Sequence, residues 1–317
     1  MTLRGCRMID PRLHTLRVLR TQGTVTATAL ALHLTPSTVS HQLKQLAEET
    51  DIRLLEPNGR RVRLTPAAEL LLEHADVLYA QWEQAKVALA ALAAGQMGEL
   101  RVCGLSSTVS AFIAPAAKRL REDHPGVRLH LAAVESDEAF RRLEAGDADI
   151  AVFNPTYATP QPSDPRFEQH LLMDDVEDLL VPAGHRLAGR ESVALAEAAD
   201  EEWVGMPTCL DQEQLLRSSA AAAGFTPDVA HHADSWTSAS GLVCTGFGVS
   251  LYSRLAPIPA EHAVVRVPIH GNPVPTRRLF TAVRRGSTEQ PAIARGLAAI
   301  REAAEAHRRG GGNDGTK

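Results

Sequence analysis

Residues 35–46 read TPSTVSHQLKQL. Val39, Leu43 and Leu46 fall at i, i+4 and i+7, one apolar stripe of a helix, while Ser37, Ser40, His41 and Lys44 repeat that spacing on the opposite side. Thr35 is placed to cap the helix, and Pro36 sits at its first position, where a missing N–H costs nothing. The stretch predicts a helix with one face on a core and a polar face turned outward. What meets the polar face is set by its neighbours.

Upstream, IDPRLHTLRVLRTQG carries Leu13, Leu16 and Leu19 at helical spacing and stops at Gly23. TVTATALALHL follows, with Val25, Ala29, Leu30 and Leu34 as an apolar face and Thr24 or Thr26 as the cap. With the short link His33–Thr35, the second and third helices make a helix-turn-helix, whose second member lies in the DNA major groove. Downstream, DIRLLEPNGRRVRLTP has a Pro57-Asn58-Gly59 turn and then Arg60, Arg61 and Arg63 alternating with Val62 and Leu64. Such a basic hairpin is a wing, suited to phosphates or the minor groove. The expected DNA contacts are Thr35, Ser37, Thr38, Ser40, His41, Lys44, Arg60, Arg61 and Arg63.

Charge points the same way. The net charge of −5 divides into +5 over residues 1–65 and −10 over the remainder. A basic head on an acidic body fits a chain of which only the head approaches a polyanion.

The chain of 317 residues is 44% hydrophobic and 22% charged, and it has room for more than one domain. It lacks an apolar run of the roughly 20 residues that span a bilayer, and the basic N-terminal stretch has no signal-peptide h-region. The expectation is a cytoplasmic protein without membrane contact. Cys6, Cys103, Cys209 and Cys244 are scattered, with no metal-ligand or CxxC spacing, so no structural metal or other cofactor is expected.

Thr65-Pro66 repeats the cap-then-proline signal and opens a long unbroken helical stretch to Gly95. Ala68, Leu71, Ala75, Leu78, Trp82, Ala85, Leu89 and Leu92 alternate steps of three and four, a seam that suits self-association. Leu71, Leu78, Trp82 and Leu89 are the expected dimerisation residues. From Gly98 strands and helices alternate: GELRVCG, VRLHLAAVE and ADIAVF are strands separated by helical segments, a βαβαβ run. After the Pro-rich crossover NPTYATPQPSDP the alternation resumes through EEWVGMP, DVAHHADS, GFGVSLYS and AVVRVPIHG. RRLFTAVRR and a final helix are expected to return to the first lobe.

TATALALHLTPSTVSHQLKQLAEET followed by GRRVRLTPAAELLL resembles the winged helix-turn-helix of LysR-type transcriptional regulators. Asp51, Leu55, Pro57 and Ala68 stand where that family usually has Gly, Phe, Arg and Gly. The resemblance implies an N-terminal all-α winged helix-turn-helix over residues 8–65 and a linker and dimerisation helix over 66–96. It further implies an α/β, periplasmic-binding-protein-like effector domain of two subdomains over 97–307. The first subdomain is expected at 97–159 and 267–307 and the second at 160–266, with 308–317 a disordered tail. It also implies a homodimer or homotetramer on promoter DNA and a small-molecule effector in the interlobe cleft.

Ligands of open α/β sheets bind beyond the carboxyl ends of strands. Ser106, Ser107 and Thr108 hold that place, their hydroxyls and free N–H groups suited to an anion such as a carboxylate, with Pro207 and Thr208 from the facing lobe and Asn154 at the crossover. Asp234, Ser235 and Trp236 are weaker candidates, and Gly246 and Gly248 read as backbone devices. Two alternatives stand beside this reading. Cys209 next to Thr208 suggests a thiol-based redox regulator. An enzyme in the α/β body lacks support from motifs: Gly104-Leu105-Ser106 is followed by Ser107-Thr108 rather than completing G-x-S-x-G, and there is no P-loop, no GxGxxG after a strand and no HExxH.

Overall fold

The computed structural model describes residues 9–58, 61–92 and 98–310. The expectations for Cys6, Arg60 and positions 93–96 fall outside these residues. In the head, α1 (Pro11–Gln22) begins where Asp10 accepts the Arg12 N–H at 2.8 Å and ends at Gly23. Thr24, not Thr26, caps α2 (Val25–Ala31), accepting from the Ala27 N–H at 3.2 Å. Thr35 caps α3 (Pro36–Thr50), which closes on Asp51 at φ +52°. Aspartate is one of the few side chains that tolerates this left-handed position, which accounts for its standing in for glycine. β1 (Leu55–Asn58) and β2 (Arg61–Leu64) pair antiparallel as the wing.

The head closes on Leu16, Leu19, Ala29, Val39, Leu43, Leu46 and Leu54, joined by Ala68, Leu72 and Ala75 from α4 (Pro66–Leu92). Burying each large apolar side chain contributes about 1.5–3 kcal/mol. Two expectations change here. Leu30 is 79% exposed and Leu34 is exposed, because the short α2 turns Ala29 inward instead. The seam of α4 also divides: Ala68 and Ala75 lie in the head's own core and Leu71 packs against it, since α4 crosses α1. Leu70, Val77, Leu78 and Leu89 face outward.

The body starts with β3 (Glu99–Gly104), then α5 (Ser106–Thr108), a π-helical turn (Val109–Ile113) and α6 (Ala114–Asp123) in one continuous path. Pro115 has no N–H for this path, so the regular helical ladder cannot run through it, and the wider turn sits directly before it. β4 (Arg128–Ala133), α7 (Ser136–Ala145) and β5 (Ile150–Phe153) complete the βαβαβ run, with β4 and β5 parallel to β3 on either side.

β6 (Phe167–Pro182) is 16 residues long and belongs to both lobes. It is followed by β7 (Val193–Ala194), β8 (Glu202–Gly205), α8 (Leu210–Ala222), β9 (Asp228–His232), α9 (Trp236–Cys244), β10 (Ser250–Ser253) and β11 (Val264–His270). β12 (Thr276–Arg284) and α10 (Pro291–Gly310) return to the first lobe. Phe167–Val176 of β6 pairs with β12, and Glu177–Pro182 pairs with β10 and β11. The strand order is β4-β3-β5-β12-β6-β11-β7.

The lobe crossings come later than positions 160 and 267. Phe167 packs with Phe140 and Phe153 in the first lobe, and Val267 and Ile269 pack with Leu179 and Trp203 in the second. The physical reason is that β6 is one unbroken strand, so the change of lobe falls inside it. Residues 308–310, expected in a disordered tail, continue α10; 311–317 lie outside the described residues. Gly248 (φ +108°) does act as a backbone device, because a Cβ there would stand 2.2 Å from the Glu202 carbonyl oxygen.

Head, linker and body touch. Arg166 donates to Thr21 Oγ1 of α1 at 3.0 Å and to Glu144 Oε1 of α7 at 2.7 Å. Gly286 (φ +82°) lies against α4 so closely that a Cβ would come within 2.6 Å of the Ala80 carbonyl oxygen.

Candidate nucleic-acid interface and effector cleft

On α3, Ser37, Ser40, His41 and Lys44 are exposed while Val39, Leu43 and Leu46 are buried. The face is therefore free to enter a groove. Thr35 Oγ1 is engaged in the cap, with Ser37 Oγ and Thr38 Oγ1 each at 2.8 Å, which makes it a positioning group for the first turn. Lys44 is 3.5 Å from Glu48, a weak exposed pair that phosphate can displace. Arg63 pairs with Glu56 across the wing at 2.9 Å. Arg61 opens β2.

Charge counting overstated the head. Arg17 is buried against Asp76 at 2.7 Å, Arg20 reaches the same carboxylate at 2.9 Å, and Arg12 is held by Asp10 and Glu49. These arginines fasten the head to its linker and hold α1 and α3 together. Among the described side chains of the head, the exposed Lys and Arg are Lys44 of α3, Arg63 of the wing and Arg53 beside them.

In the body, the predicted residues spread over both lobes. Ser107 and Thr108 are fully buried and Ser106 is exposed. Thr108 donates to the Leu105 carbonyl oxygen at 2.8 Å, a local turn bond. Asn154 Oδ1 accepts the Arg278 N–H at 3.1 Å, joining the crossover to β12. Pro207 and Thr208 are exposed on the second lobe. Asp234 accepts from Ser238 at 3.2 Å, and the Trp236 carbonyl accepts from Tyr252 at 2.8 Å while the Trp236 ring lies 5.3 Å from the Arg277 guanidinium.

What brings the lobes together is a group of charges that sequence reasoning missed. The buried Arg277 of β12 donates to Ser107 Oγ at 3.0 Å, Asp175 Oδ2 at 2.6 Å and Ser253 Oγ at 2.9 Å. It also lies 3.2 Å from Glu177 and 3.4 Å from Asp211. Gln212 donates to Glu177 Oε2 at 3.1 Å, and Cys209 Sγ lies 3.6 Å from Glu135 Oε1. Burial pushes the Glu135 carboxyl up to about 7, reinforced by Asp211. Burial pushes Glu177 up to about 8, with Arg277 opposing and Asp175 reinforcing. A signal existed in LLMDDVEDLLVP, where four acids interrupt an otherwise apolar strand.

An anion at Ser107 would meet these carboxylates, and the hydroxyl already serves Arg277, so the expected anionic ligand is disfavoured by the surroundings. Thiol chemistry is disfavoured as well. Burial pushes the Cys209 thiol up to about 12, with the Glu135 and Asp211 charges adding to it, whereas a sensing cysteine needs its thiolate. Among the described residues no group of His, Cys, Asp and Glu has the arrangement to hold a metal ion.

Comparison with known proteins fits this architecture. Residues 11–69 match the family described as bacterial regulatory helix-turn-helix protein, lysR family, and residues 93–305 match the LysR substrate binding domain. The chain belongs to the LysR family of transcriptional regulators, DNA-binding proteins with a C-terminal effector-binding domain. The HTH-type transcriptional regulator AlsR of Bacillus subtilis is 27% identical over 232 residues, 70% of this chain and 72% of AlsR. The structure of full-length OxyR from Pseudomonas aeruginosa aligns with a TM-score of 0.62 at 19% identity, covering 94% of this chain and 95% of that one. Full-length CbnR complexed with its target DNA aligns with a TM-score of 0.54 at 20% identity, covering 94% and 100%. Among the described residues no helix is long and apolar enough to cross a membrane.

Proposed function

We propose that this regulator reads promoter DNA with Ser37, Ser40, His41 and Lys44 in the major groove while the wing arginines Arg60, Arg61 and Arg63 hold the backbone. Thr35 and Thr38 shape the first turn of the reading helix. The observation that carries the assignment is the division of α3, with Val39, Leu43 and Leu46 buried and Ser37, Ser40, His41 and Lys44 exposed. Two copies would join through Leu78 and Leu89 of α4, beside Leu70 and Val77, to form a homodimer or a homotetramer on a two-fold operator. Leu71 packs against the head's own core instead, and the half-buried Trp82 would lie at the margin of the joint.

The effector would bind between the lobes, around Ser107 and Asn154 of the first and Pro207 and Thr208 of the second. It would change how the heads are set by shifting the balance between lobe arrangements. The work is binding rather than catalysis, and it belongs in the cytoplasm, where promoter DNA is found. Electrophoretic mobility shifts with the DNA upstream of its own gene and of neighbouring genes test the reading. Sequence-dependent, salt-sensitive retardation is expected; binding that is indifferent to sequence at every one of these promoters refutes it.

A further inference from the structure

The two lobes meet on carboxylates. Asp175 and Glu177 of β6 and Asp211 of α8 are buried around Arg277, and the Glu135 carboxyl, just before α7, feels both Asp211 and Arg277. When all are ionised, acids exceed bases by three in this cluster. Several acceptors are also left over. Asp175 Oδ1 and Gln212 Oε1 are buried without a hydrogen-bond partner. Glu177 Oε1 has the 3.2 Å contact to Arg277 Nε but no hydrogen bond. Buried acceptors are nearly always paired, and each orphan carries its full desolvation cost.

We propose that the effector is an organic cation, bearing a primary ammonium or guanidinium group that donates to Asp175 Oδ1, Glu177 Oε1 and Gln212 Oε1. This rests on the reading of the interlobe cleft as the effector site and names the class of its ligand. A small anion finds the wrong charge here. A metal ion finds no suitable set of His, Cys, Asp and Glu among the described residues. An N–H fork or ammonium supplies several donors in different directions, which is what acceptors divided between β6 and α8 need. Arg277 acts as a resident guest that occupies part of the cage, and the ligand enters as the lobes part about β6 and β12. Protons fill the remaining need when no cation is present, since burial raises Glu135 to about 7 and Glu177 to about 8. Cation binding therefore releases protons and strengthens as pH rises.

The test uses the full-length protein, with agmatine and propylammonium as cations and propionate and benzoate as anions at matched ionic strength, at pH 6.5 and 8.5. Thermal unfolding and calorimetry are the readouts. A saturable rise in Tm with a cation is expected, with binding several-fold tighter at pH 8.5 and protons released on binding. Asp175→Asn should weaken it at least tenfold. Gln212→Met, which leaves every charge in place, should weaken it several-fold, and Lys118→Ala on the outer surface of α6 should not. If the anions saturate the protein and Ser107→Ala or Asp175→Asn alters that binding, the cleft stands as effector site and the cation assignment falls. If probes bind with no response to any cleft substitution, both readings fall. Absence of saturable cation binding at both pH values also overturns the proposal.

Discussion

The Arg284 guanidinium of β12 meets the Glu83 carboxylate of α4 at 3.1 Å, although the two residues stand 201 positions apart. Arg284 also pairs with Asp149 at 2.9 Å, and Gln290 donates to Glu83 at 2.7 Å. Burial alone would raise Glu83, but Arg284 and Lys86 hold it below the usual carboxylate range. The linker helix is thereby fastened to the first lobe by charge. Glu83→Ala leaves a buried guanidinium short of one partner and should lower the stability of the full chain by about 3 kcal/mol. Chemical denaturation checks this; an unchanged midpoint means the contact does not hold the linker.

The division of labour on the DNA face predicts two different phenotypes. His41→Ala should change the preferred operator by about 1–3 kcal/mol at one or two base pairs. Arg61→Ala should weaken binding to all sequences and lower the salt slope by about one. Operator selection from a randomised library, with titrations across salt concentrations, separates the two. Equal losses at every sequence for both variants would remove the role assigned to His41.

Leu78 is 48% exposed on α4, near Val77. Leu78→Glu should shift the protein toward monomer in sedimentation velocity while its folded circular dichroism signal persists. Ala75→Glu, by contrast, places a charge in the head's own core and should unfold the head.

Glu177 gives a stability prediction with a definite sign. It holds its proton to about pH 8 when folded, against an ordinary value of 4.5. Between those values the folded chain carries a proton that the unfolded chain has lost, so stability falls as pH rises through the window and levels off above it. Glu135 adds the same trend up to about pH 7. Glu177→Gln removes one of these titrations. Calorimetry from pH 5 to 8.5 should show the variant gaining on the wild type as pH rises, and parallel curves would contradict the burial argument.

The head was legible because its signals are local. TPSTVSHQLKQL contains its own cap, its own apolar stripe and its own polar face, and the cap, the buried stripe and the exposed face fall where the spacing put them. α4 was half legible: its apolar positions were visible, but whether Ala75 faces a partner or its own head depends on α1, which pattern alone does not bring alongside. The cleft was least legible. Ser107 could be placed from strand-then-helix logic, but Arg277 comes from a strand 170 positions later, and buried charges in strands read as solvent-facing ones. The lobe boundary was hidden for the opposite reason: β6 crosses it without a break for a turn signal to mark.

β12 carries Arg277 near its start and Arg284 at its end, with about 23 Å of extended chain between them. One residue belongs to the cleft and the other to the linker that carries the DNA-reading head. β6 pairs with the strand along this whole length and β5 joins from the other side at Phe280–Ala282, and the register with β6 slips between Leu279 and Phe280. The strand thus ties the interlobe charge cluster to the linker helix through one continuous run of main chain, with a single slip of register on the way.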